Sequence, residues 1–430
     1  MSTAMPGINL IRRFALLALL AAAMAGCGGG GGGTPAALAA CNSSIRTDAT
    51  PTHSTYIPNQ SNAVELTVDN GPACSGYNAN RLYTSVTICQ SGSTTQCQTI
   101  DHVLVDTGST GLRLLHSAVN PALNLGTITA ASGRPLLNCI QFVDYSHAFG
   151  RVATADVTLG PKTATNLPIQ IIADPAYTAL SESCAAGIGN NTSTILGANG
   201  ILGVGLYKQD CGAYCDDPSH SANGYYFTCT SGDCSAVEGT AVPLAQQVAN
   251  PVTQFGPDNN GVVIDLPAVT ASGTTSIAGQ MLFGIGTQSN NTPSSFTTLN
   301  TTSQGYITTV LSGTTMNHSF IDTGSNGLYF GTSSTLRPCT QATGFYCPLV
   351  NTSLTGTVSG TNPGTIAIPF VAGNAESLFK SSYSVLPTLT GPMGNSTSFD
   401  WGLPFFYGRR VFIEIEGASS SLGTGPLYAF

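Results

Sequence analysis

Basic side chains are scarce in this sequence. Lysine and arginine together account for 13 of the 430 residues, charged residues of both signs account for 8%, and the formal net charge is −8. A nucleic-acid interface needs clustered Lys and Arg to neutralise phosphates, and so few basic residues cannot easily supply one. The composition therefore argues against a nucleic acid as a partner.

The sequence patterns of several enzyme classes are also missing. There is no His-Glu-x-x-His pair of zinc ligands and no Gly-x-Ser-x-Gly nucleophile turn, and the glycine-rich stretch at residues 203–205 lacks the lysine of a phosphate-binding loop. These absences argue against a zinc protease, an α/β-type serine hydrolase and a nucleotide-binding enzyme. We expect neither a metal nor an organic cofactor.

Long segments with helical periodicity are scarce as well. Short apolar runs separated by Gly, Ser, Thr and Asn recur instead, for example at residues 83–88 and 262–266. This pattern predicts an all-β architecture, and the length is sufficient for two domains with sizeable cores. A candidate short helix spans residues 242–249, with Pro243 near its start and Pro251 beyond its end.

The amino terminus has the pattern of an export signal. Arg12 and Arg13 precede an apolar run at residues 14–23, and small residues then lead to Cys27. The Ala-Gly-Cys sequence resembles the lipobox of bacterial lipoproteins, which implies that residues 1–26 are a signal peptide and that Cys27 carries lipid. The alternative is an ordinary secretory signal with a coincidental cysteine.

The segment after Cys27 is rich in glycine. Six glycines occupy residues 28–33, so we predict that residues 27–60 form a flexible tether behind the lipidated cysteine. Glycine rather than aspartate follows Cys27, which by the lipoprotein resemblance implies anchoring in the outer membrane, facing the periplasm.

Thirteen cysteines are present, and twelve remain when Cys27 is set aside. In an exported protein an even number of this size predicts up to six disulfides. Proximity and elimination suggest the pairs Cys89–Cys97, Cys211–Cys215, Cys229–Cys234, Cys339–Cys347, Cys41–Cys74 and Cys139–Cys184. Crossed pairing among the four cysteines at 211, 215, 229 and 234 stays open. A four-cysteine zinc site is the rival, although the spacings match no common zinc signature.

One heptapeptide occurs twice. Residues 106–112 read Asp-Thr-Gly-Ser-Thr-Gly-Leu and residues 322–328 read Asp-Thr-Gly-Ser-Asn-Gly-Leu, with apolar runs on both sides of each copy. Two similar strand-and-turn units, 216 residues apart, can bring Asp106 and Asp322 together. Close carboxylates share a proton, so that one can act as general base on a water and the other as general acid. Ordinary Asp/Gly turns would explain one copy, but they would not explain two.

The doubled motif resembles that of the pepsin-like aspartic proteases, whose dyad is a standard example of proton sharing. The resemblance implies a bilobal double β-barrel with the active-site cleft between pseudo-symmetric lobes, here residues 61–265 and 266–430. It also implies catalysis by Asp106 and Asp322, clamping hydrogen bonds from the threonines, and hydroxyls that hold the aspartates. The supporting residues would be Thr107, Gly108, Ser109, Thr323, Gly324 and Ser325.

The resemblance extends to other stretches. Residues 142–160 read as a β-hairpin, which implies a flap over the cleft with Tyr145 as its tyrosine; a half-buried strand aromatic is the alternative. Residues 199–206 and 401–406 resemble the apolar elements beside the catalytic loops, although Asp400 interrupts the second apolar pair. The family's usual tryptophan after the first motif is replaced by Arg113, and the glycine after the flap tyrosine is replaced by Ser146.

Residues 208–239 hold four cysteines and look like an insertion in the first lobe. They would form either a stapled loop at the cleft rim or a plain surface decoration. The whole pattern predicts a monomeric aspartic endopeptidase, bound to the membrane through Cys27, that cleaves an extended peptide or protein substrate. The alternative is a catalytically inactive binding or structural lipoprotein of the same fold.

Overall fold

The computed structural model describes residues 51–73, 75–185, 187–331 and 336–430. Its strands are β1 (Ala63–Val68), β2 (Leu82–Cys89), β3 (Cys97–Asp106), β4 (Thr110–Leu115), β5 (Gly126–Thr127), β6 (Leu136–Gln141), β7 (His147–Leu159), β8 (Lys162–Ile172), β9 (Gly200–Val204), β10 (Tyr226–Cys229), β11 (Val237–Gly239), β12 (Gly261–Asp265), β13 (Ile277–Phe283), β14 (Thr298–Asn300), β15 (Ile307–Leu311), β16 (Thr314–Ile321), β17 (Leu328–Phe330), β18 (Thr352–Ser359), β19 (Thr365–Ala372), β20 (Thr390–Pro392), β21 (Phe399–Trp401), β22 (Arg410–Glu414), β23 (Ser419–Ser420), β24 (Gly423–Thr424) and β25 (Leu427–Ala429).

Helical structure is confined to single turns among these residues. The α-helical turns are Ser193–Leu196, Ala213–Asp216 and Ala375–Leu378, and the 3-10 turns are His116–Ala118, Pro218–His220, Leu244–Gln246, Pro251–Gln254, Ser289–Asn291, Phe379–Ser381 and Leu403–Phe406. In the described part of the chain no helix has the length and apolar character needed to cross a bilayer.

The first lobe contains a closed barrel. Six strands follow one another in the order β7, β8, β4, β9, β3 and β2, and pairing of β2 with β7 closes the ring. Strand β2 alternates buried and less buried positions, as a strand with one face toward a core does. The last five residues of β3 are all buried, because this end runs parallel to β9 and is covered on both faces.

A second group of strands continues from this barrel. Strand β1 pairs with β13, and the sheet then runs through β12, β22, β25 and β14. All seven residues of β13 are buried, which explains why its sequence is apolar rather than alternating. This sheet therefore combines residues from near both ends of the described chain.

The second lobe is a seven-stranded sheet with the order β19, β18, β15, β16, β21, β17 and β20. Its core is aromatic: the Trp401 ring stacks on Phe399 with centroids 4.0 Å apart and meets Phe370 and Phe405 edge-on. The indole Nε1 donates to Thr309 Oγ1 at 3.0 Å, so the polar atom of this buried side chain is satisfied.

The two lobes repeat one topological unit. In the first, β9 runs parallel to β3 and antiparallel to β4. In the second, β21 runs parallel to β16 and antiparallel to β17. A Cβ added to Gly203 would lie 2.5 Å from Thr110 N, and one added to Gly402 would lie 2.1 Å from Gly327 O, so both crossings require glycine. The predicted all-β, bilobal pepsin-like fold class is confirmed.

Five of the predicted disulfides are present, namely Cys89–Cys97, Cys139–Cys184, Cys211–Cys215, Cys229–Cys234 and Cys339–Cys347. They settle the open choice among the cysteines of residues 208–239 in favour of the uncrossed pairs. The sixth predicted pair, Cys41–Cys74, lies outside the described residues, as do Cys27 and residues 27–50 of the predicted tether. Residues 51–60 of that tether are described, and the backbone N–H groups of Thr52 and Thr55 donate to the carbonyls of Ser276 and Ala278.

The predicted helix at residues 242–249 is wrong. Only Leu244–Gln246 forms a single 3-10 turn there. The segment finds tertiary partners for its polar groups instead: Gln247 Nε2 donates to the carbonyls of Gly212 and Val242, and the backbone N–H of Val248 donates to the Tyr226 hydroxyl. A segment this short gains little from helix formation, so these contacts decide its conformation.

Candidate active site

The two motif aspartates face each other across the repeated units. Asp106 ends β3, Asp322 directly follows β16, and their exposed fractions are 5% and 7%. A Cβ added to Gly108 would lie 2.8 Å from Asp322 Cγ, and one added to Gly324 would lie 2.7 Å from Asp106 Oδ1. Each glycine therefore makes room for the opposite carboxyl group.

Both carboxyl groups are held by the same set of donors. In each copy the glycine N–H donates to Oδ1 of the aspartate and the serine hydroxyl donates to Oδ2. The distances are 2.8 and 2.5 Å for Gly108 and Ser109 at Asp106, and 2.7 and 2.8 Å for Gly324 and Ser325 at Asp322. Because Oδ1 of each aspartate lies beside the glycine of the opposite motif, the two carboxyl groups are close enough to interact, and close carboxyl groups share a proton.

The threonines of the two motifs form a reciprocal clamp. Thr107 Oγ1 donates to Ile321 O at 3.2 Å and accepts the Thr323 N–H at 3.0 Å. Thr323 Oγ1 donates to Val105 O at 2.7 Å and accepts the Thr107 N–H at 3.1 Å. All four bonds are buried, so the clamp fixes the spacing of the two aspartate loops.

Removal of one clamp hydroxyl should destabilise the protein. Thr107→Val keeps the side-chain shape but leaves the Thr323 N–H and the Ile321 carbonyl buried without partners, and we expect a loss of roughly 2–4 kcal/mol in the free energy of unfolding. Thr107→Ser retains the hydroxyl and is the matched control, with an expected loss under about 1 kcal/mol. Chemical denaturation measures both, and equal stability of the two variants would contradict the clamp.

The surroundings of Asp322 favour its protonated form. Burial, the charge of Asp106 and the charge of Asp400 together raise the pKa of Asp322 well above its ordinary value, and the bond from Ser325 opposes them. The two motif aspartates titrate as a pair.

A third carboxyl group, Asp400, lies beside the dyad. Strand β21 places it level with Phe320 of β16, two residues before Asp322. Its exposed fraction is 1%, and burial raises the pKa of Asp400 to about 8, against a lowering contribution from the Ser325 hydroxyl. The sequence showed this residue only as a polar interruption of an apolar pair, and its position depends on the parallel pairing of β21 with β16.

A cleft of about 760 Å³ opens over the dyad. Both lobes line it: Leu104 and Ile201 come from the first, and Phe320 and Tyr329 come from the second. The lining mixes apolar side chains with carboxyl groups, so the cleft is suited to a chain molecule with both backbone polar groups and side chains.

A hairpin lies at one edge of the cleft, where the flap was predicted, but residues 142–160 are not themselves a hairpin: residues 147–159 are the single strand β7, and the hairpin joins β7 to β6. Strands β6 and β7 pair in antiparallel fashion, and the turn between them is closed by a bond from Phe142 N to Ser146 O at 2.9 Å. Tyr145 lies in this turn with φ of 66° and lines the cleft while 69% exposed. Ser146 accepts a bond from Asn190 Nδ2 at 3.0 Å, so its side chain braces the flap against a neighbouring segment.

Arg113 stands where a tryptophan was expected, and it forms a buried polar network. The fully buried guanidinium donates to Asn138 Oδ1 of β6 at 2.6 Å, to Gln170 Oε1 of β8 at 2.7 Å and to Asp210 Oδ2 at 2.9 Å. Tyr226 donates its hydroxyl to Asp210 as well. Burial raises the pKa of Asp210 and the charge of Arg113 opposes that rise. The network ties the strand after the first motif to the base of the flap.

The insertion at residues 208–239 lies at the cleft rim. Its strand β10 extends the flap sheet by pairing with β6, and β11 pairs with β10. Asp210 and Tyr225 line the cleft. Neither residue was singled out from the sequence, because the pairing of β10 with β6 joins segments about ninety residues apart.

One group of possible metal ligands occurs among the described residues. Cys339, Cys347 and Glu376 place their ligand atoms within 4.8 Å of one another. The two cysteines form a disulfide, and metal ligation by cysteine requires the thiolate. The group therefore lacks the donors of a metal centre.

Comparisons with known proteins place the chain in a family. No curated protein matches it. Among solved structures, it is similar to an aspartic proteinase from Irpex lacteus, with 15% identity, a TM-score of 0.48, and coverage of 85% of this chain and 96% of that one. A model of the family described as "Protein of unknown function (DUF3443)" matches residues 58–430. The chain therefore belongs to the DUF3443 family.

Proposed function

We propose that this protein is an aspartic endopeptidase that hydrolyses peptide bonds without a metal or organic cofactor. The observation that carries the proposal is the symmetric setting of Asp106 and Asp322, which face each other and are held by matching glycine and serine donors. Two carboxyl groups with one shared proton provide a general base and a general acid at the same point.

The reaction follows from the placement of that proton. A water between the carboxyls gives a proton to Asp106 as its oxygen attacks the peptide carbonyl carbon, while Asp322 donates its proton to the carbonyl oxygen. The tetrahedral diol then collapses: Asp106 protonates the leaving nitrogen, Asp322 recovers a proton from a diol hydroxyl, and the C–N bond breaks. Both aspartates return to their starting state, and the products are a carboxylic acid and an amine.

The substrate of this reaction would be an extended peptide or protein segment lying in the cleft between the lobes. The flap hairpin carrying Tyr145 would close over it, since this turn lines the cleft and is mostly exposed. We propose that the protein acts as a monomer, because both halves of the dyad belong to one chain.

The second candidate is a catalytically inactive binding or structural protein. It is favoured by the replacement of the flap-supporting tryptophan by Arg113 and by the exposure of Tyr145, both of which alter the flap. The two candidates differ in their affinity for a mimic of the tetrahedral transition state. Only a catalytically active pair of aspartates should bind such a mimic more tightly than a comparable peptide.

A statine-containing peptide such as pepstatin separates the candidates. We expect the protein to bind it at least about 100-fold more tightly than a matched peptide that lacks the statine hydroxyl. In Asp322→Asn this difference should collapse, because the hydroxyl loses its place between the two carboxyls. Isothermal titration at acid pH measures both affinities, and equal binding of the two peptides by the parent would support the inactive protein.

We further propose that residues 1–26 are removed on export and that Cys27 anchors the protein by lipid in the outer membrane, facing the periplasm. The apolar run after Arg12 and Arg13, the Ala-Gly-Cys sequence and the glycine tether support this. Metabolic labelling with a fatty acid tests it: label should enter the parent and be absent from Cys27→Ser.

A further inference from the structure

Asp400 lies in the wall of the cleft, beside the two motif aspartates. It lines the same cleft as Asp106 and Asp322, and it is close enough that its charge acts on Asp322 and the charge of Asp106 acts on it. The register of β21 on β16 fixes this position. A peptide held for attack at the dyad would therefore present a neighbouring residue to Asp400.

The carboxyl group of Asp400 has unused hydrogen-bonding capacity. Its Oδ1 is buried and has no hydrogen-bond partner among the described residues. The Ser325 hydroxyl is close enough to lower the pKa of Asp400. Its hydrogen, however, is donated to Asp322 Oδ2 at 2.8 Å. A buried carboxyl with an unpaired oxygen costs free energy, and this cost is removed if a ligand supplies the missing donor.

The surrounding charge is negative. Five aspartates and one arginine are among the described residues that line the cleft, namely Asp106, Asp144, Asp210, Asp322, Asp400 and Arg81. Asp210 is neutralised by Arg113 at 2.9 Å. Arg81 is opposed by Asp144 and by the dyad, which carries one negative charge when it holds one shared proton. Ionisation of Asp400 adds a further negative charge, so the cleft attracts cations.

We propose that Asp400 receives a cationic substrate side chain, so that the cleft selects peptides with Lys or Arg next to the bond that is cleaved. The proposal rests on the peptidase function and adds its substrate class. An ammonium or guanidinium group would donate a hydrogen bond to Oδ1, which has no other donor. This bond would be charge-assisted and lie in a water-poor site.

This subsite has a characteristic pH dependence. The titratable groups that interact with Asp400 are Asp106 of β3, Asp322 after β16, Tyr329 of β17 and Tyr428 of β25: the charge of Asp106 raises the pKa of Asp400, and the charge of Asp400 raises the pKa of the other three. Burial in this company raises the pKa of Asp400 to about 8, so a substrate cation must displace a proton. The preference for a cationic residue should increase with pH, by at most about tenfold per unit, and level off near the pKa.

The test uses internally quenched peptides built on one neutral sequence. A single lysine is moved through each position flanking the cleaved bond, and norleucine at the same position is the uncharged control. The enzymes are the parent, Asp400→Asn and Glu182→Gln, the last replacing an exposed carboxylate that is not among the residues lining the cleft. At one position adjacent to the cleaved bond the parent should show a kcat/KM ratio of lysine to norleucine of at least about ten. The ratio should rise with pH.

The variants decide the assignment. In Asp400→Asn the ratio should fall to about one and lose its pH dependence, whereas Glu182→Gln should keep the parent ratio. A parent without preference at any position, a preference that survives Asp400→Asn, or an equal loss in Glu182→Gln would each overturn the proposal. The pH dependence in the parent needs no variant and decides the matter if Asp400→Asn does not fold.

A binding measurement separates this proposal from the peptidase function. If the parent cleaves none of the peptides, the proposed function fails, and the same labelled peptides are titrated against parent and Asp400→Asn by fluorescence anisotropy. Tighter binding of a lysine peptide by the parent, lost in Asp400→Asn, would support the cationic subsite without catalysis. Equal binding of the lysine and norleucine peptides would refute it.

Discussion

Replacement of Asp322 by asparagine should lower kcat by roughly 10⁴-fold. Asparagine keeps the shape of the side chain: its Oδ1 can accept the bond from the Gly324 N–H, and its Nδ2 can donate to the Ser325 hydroxyl. It cannot hold the shared proton or donate it to the carbonyl oxygen, so general acid catalysis is lost. KM should change much less than kcat, since the cleft walls are unaltered.

The fold should survive this change. Asp322 is buried and its pKa is raised, so an uncharged isostere removes a group that is costly to ionise. Glu182→Gln, which changes an exposed carboxylate that is not among the residues lining the cleft, is the matched control and should retain kcat within about threefold. Peptide hydrolysis and thermal unfolding would be measured on both proteins. Parent-like turnover by a folded Asp322→Asn protein would contradict the two-aspartate mechanism.

The protein should be most stable in acid and lose stability as the pH rises toward 8. Burial raises the pKa of Asp400 to about 8 and that of Glu414 to about 7, and it also raises the pKa of Asp322 and Asp210. The folded state then holds protons that the unfolded state releases above about pH 4. The stabilisation that these protonated groups provide is therefore complete below about pH 4. It is lost as the pH rises through the pKa values that the groups have in the folded state.

The expected change in the free energy of unfolding with pH is large. Each unit of pKa shift corresponds to about 1.4 kcal/mol, so Asp400 alone would contribute a loss of roughly 5 kcal/mol between pH 4 and pH 8. Chemical denaturation of the oxidised protein across this range measures the slope. Asp400→Asn should flatten it and Asp144→Asn should leave it unchanged; a free energy of unfolding that is constant or rises with pH would contradict the burial of these acids.

The repeated heptapeptide predicted the dyad and its supporting residues from sequence because each interaction within a copy is local. Asp106, Gly108 and Ser109 lie within four residues of one another, so the pattern itself encodes their contacts. Four of the five disulfides were predictable for a similar reason, since the two cysteines of each are at most eight residues apart.

The residues that distinguish this cleft were not predictable in the same way. Asp400 reaches Asp322 only through the pairing of β21 with β16, and Arg113 meets Asp210 across 97 residues of sequence. Tyr225 enters the cleft on an insertion whose partner strand the sequence does not reveal. Long-range register determines these contacts, and local periodicity carries no information about it.

The most direct test of the central claim is digestion of a denatured protein mixture by the purified, oxidised protein from acid to neutral pH. Parallel samples contain pepstatin or the Asp106→Asn variant. The two-aspartate account predicts cleavage that pepstatin blocks and that disappears in Asp106→Asn. Absence of cleavage at every pH by the folded protein, or cleavage that Asp106→Asn retains, would contradict it.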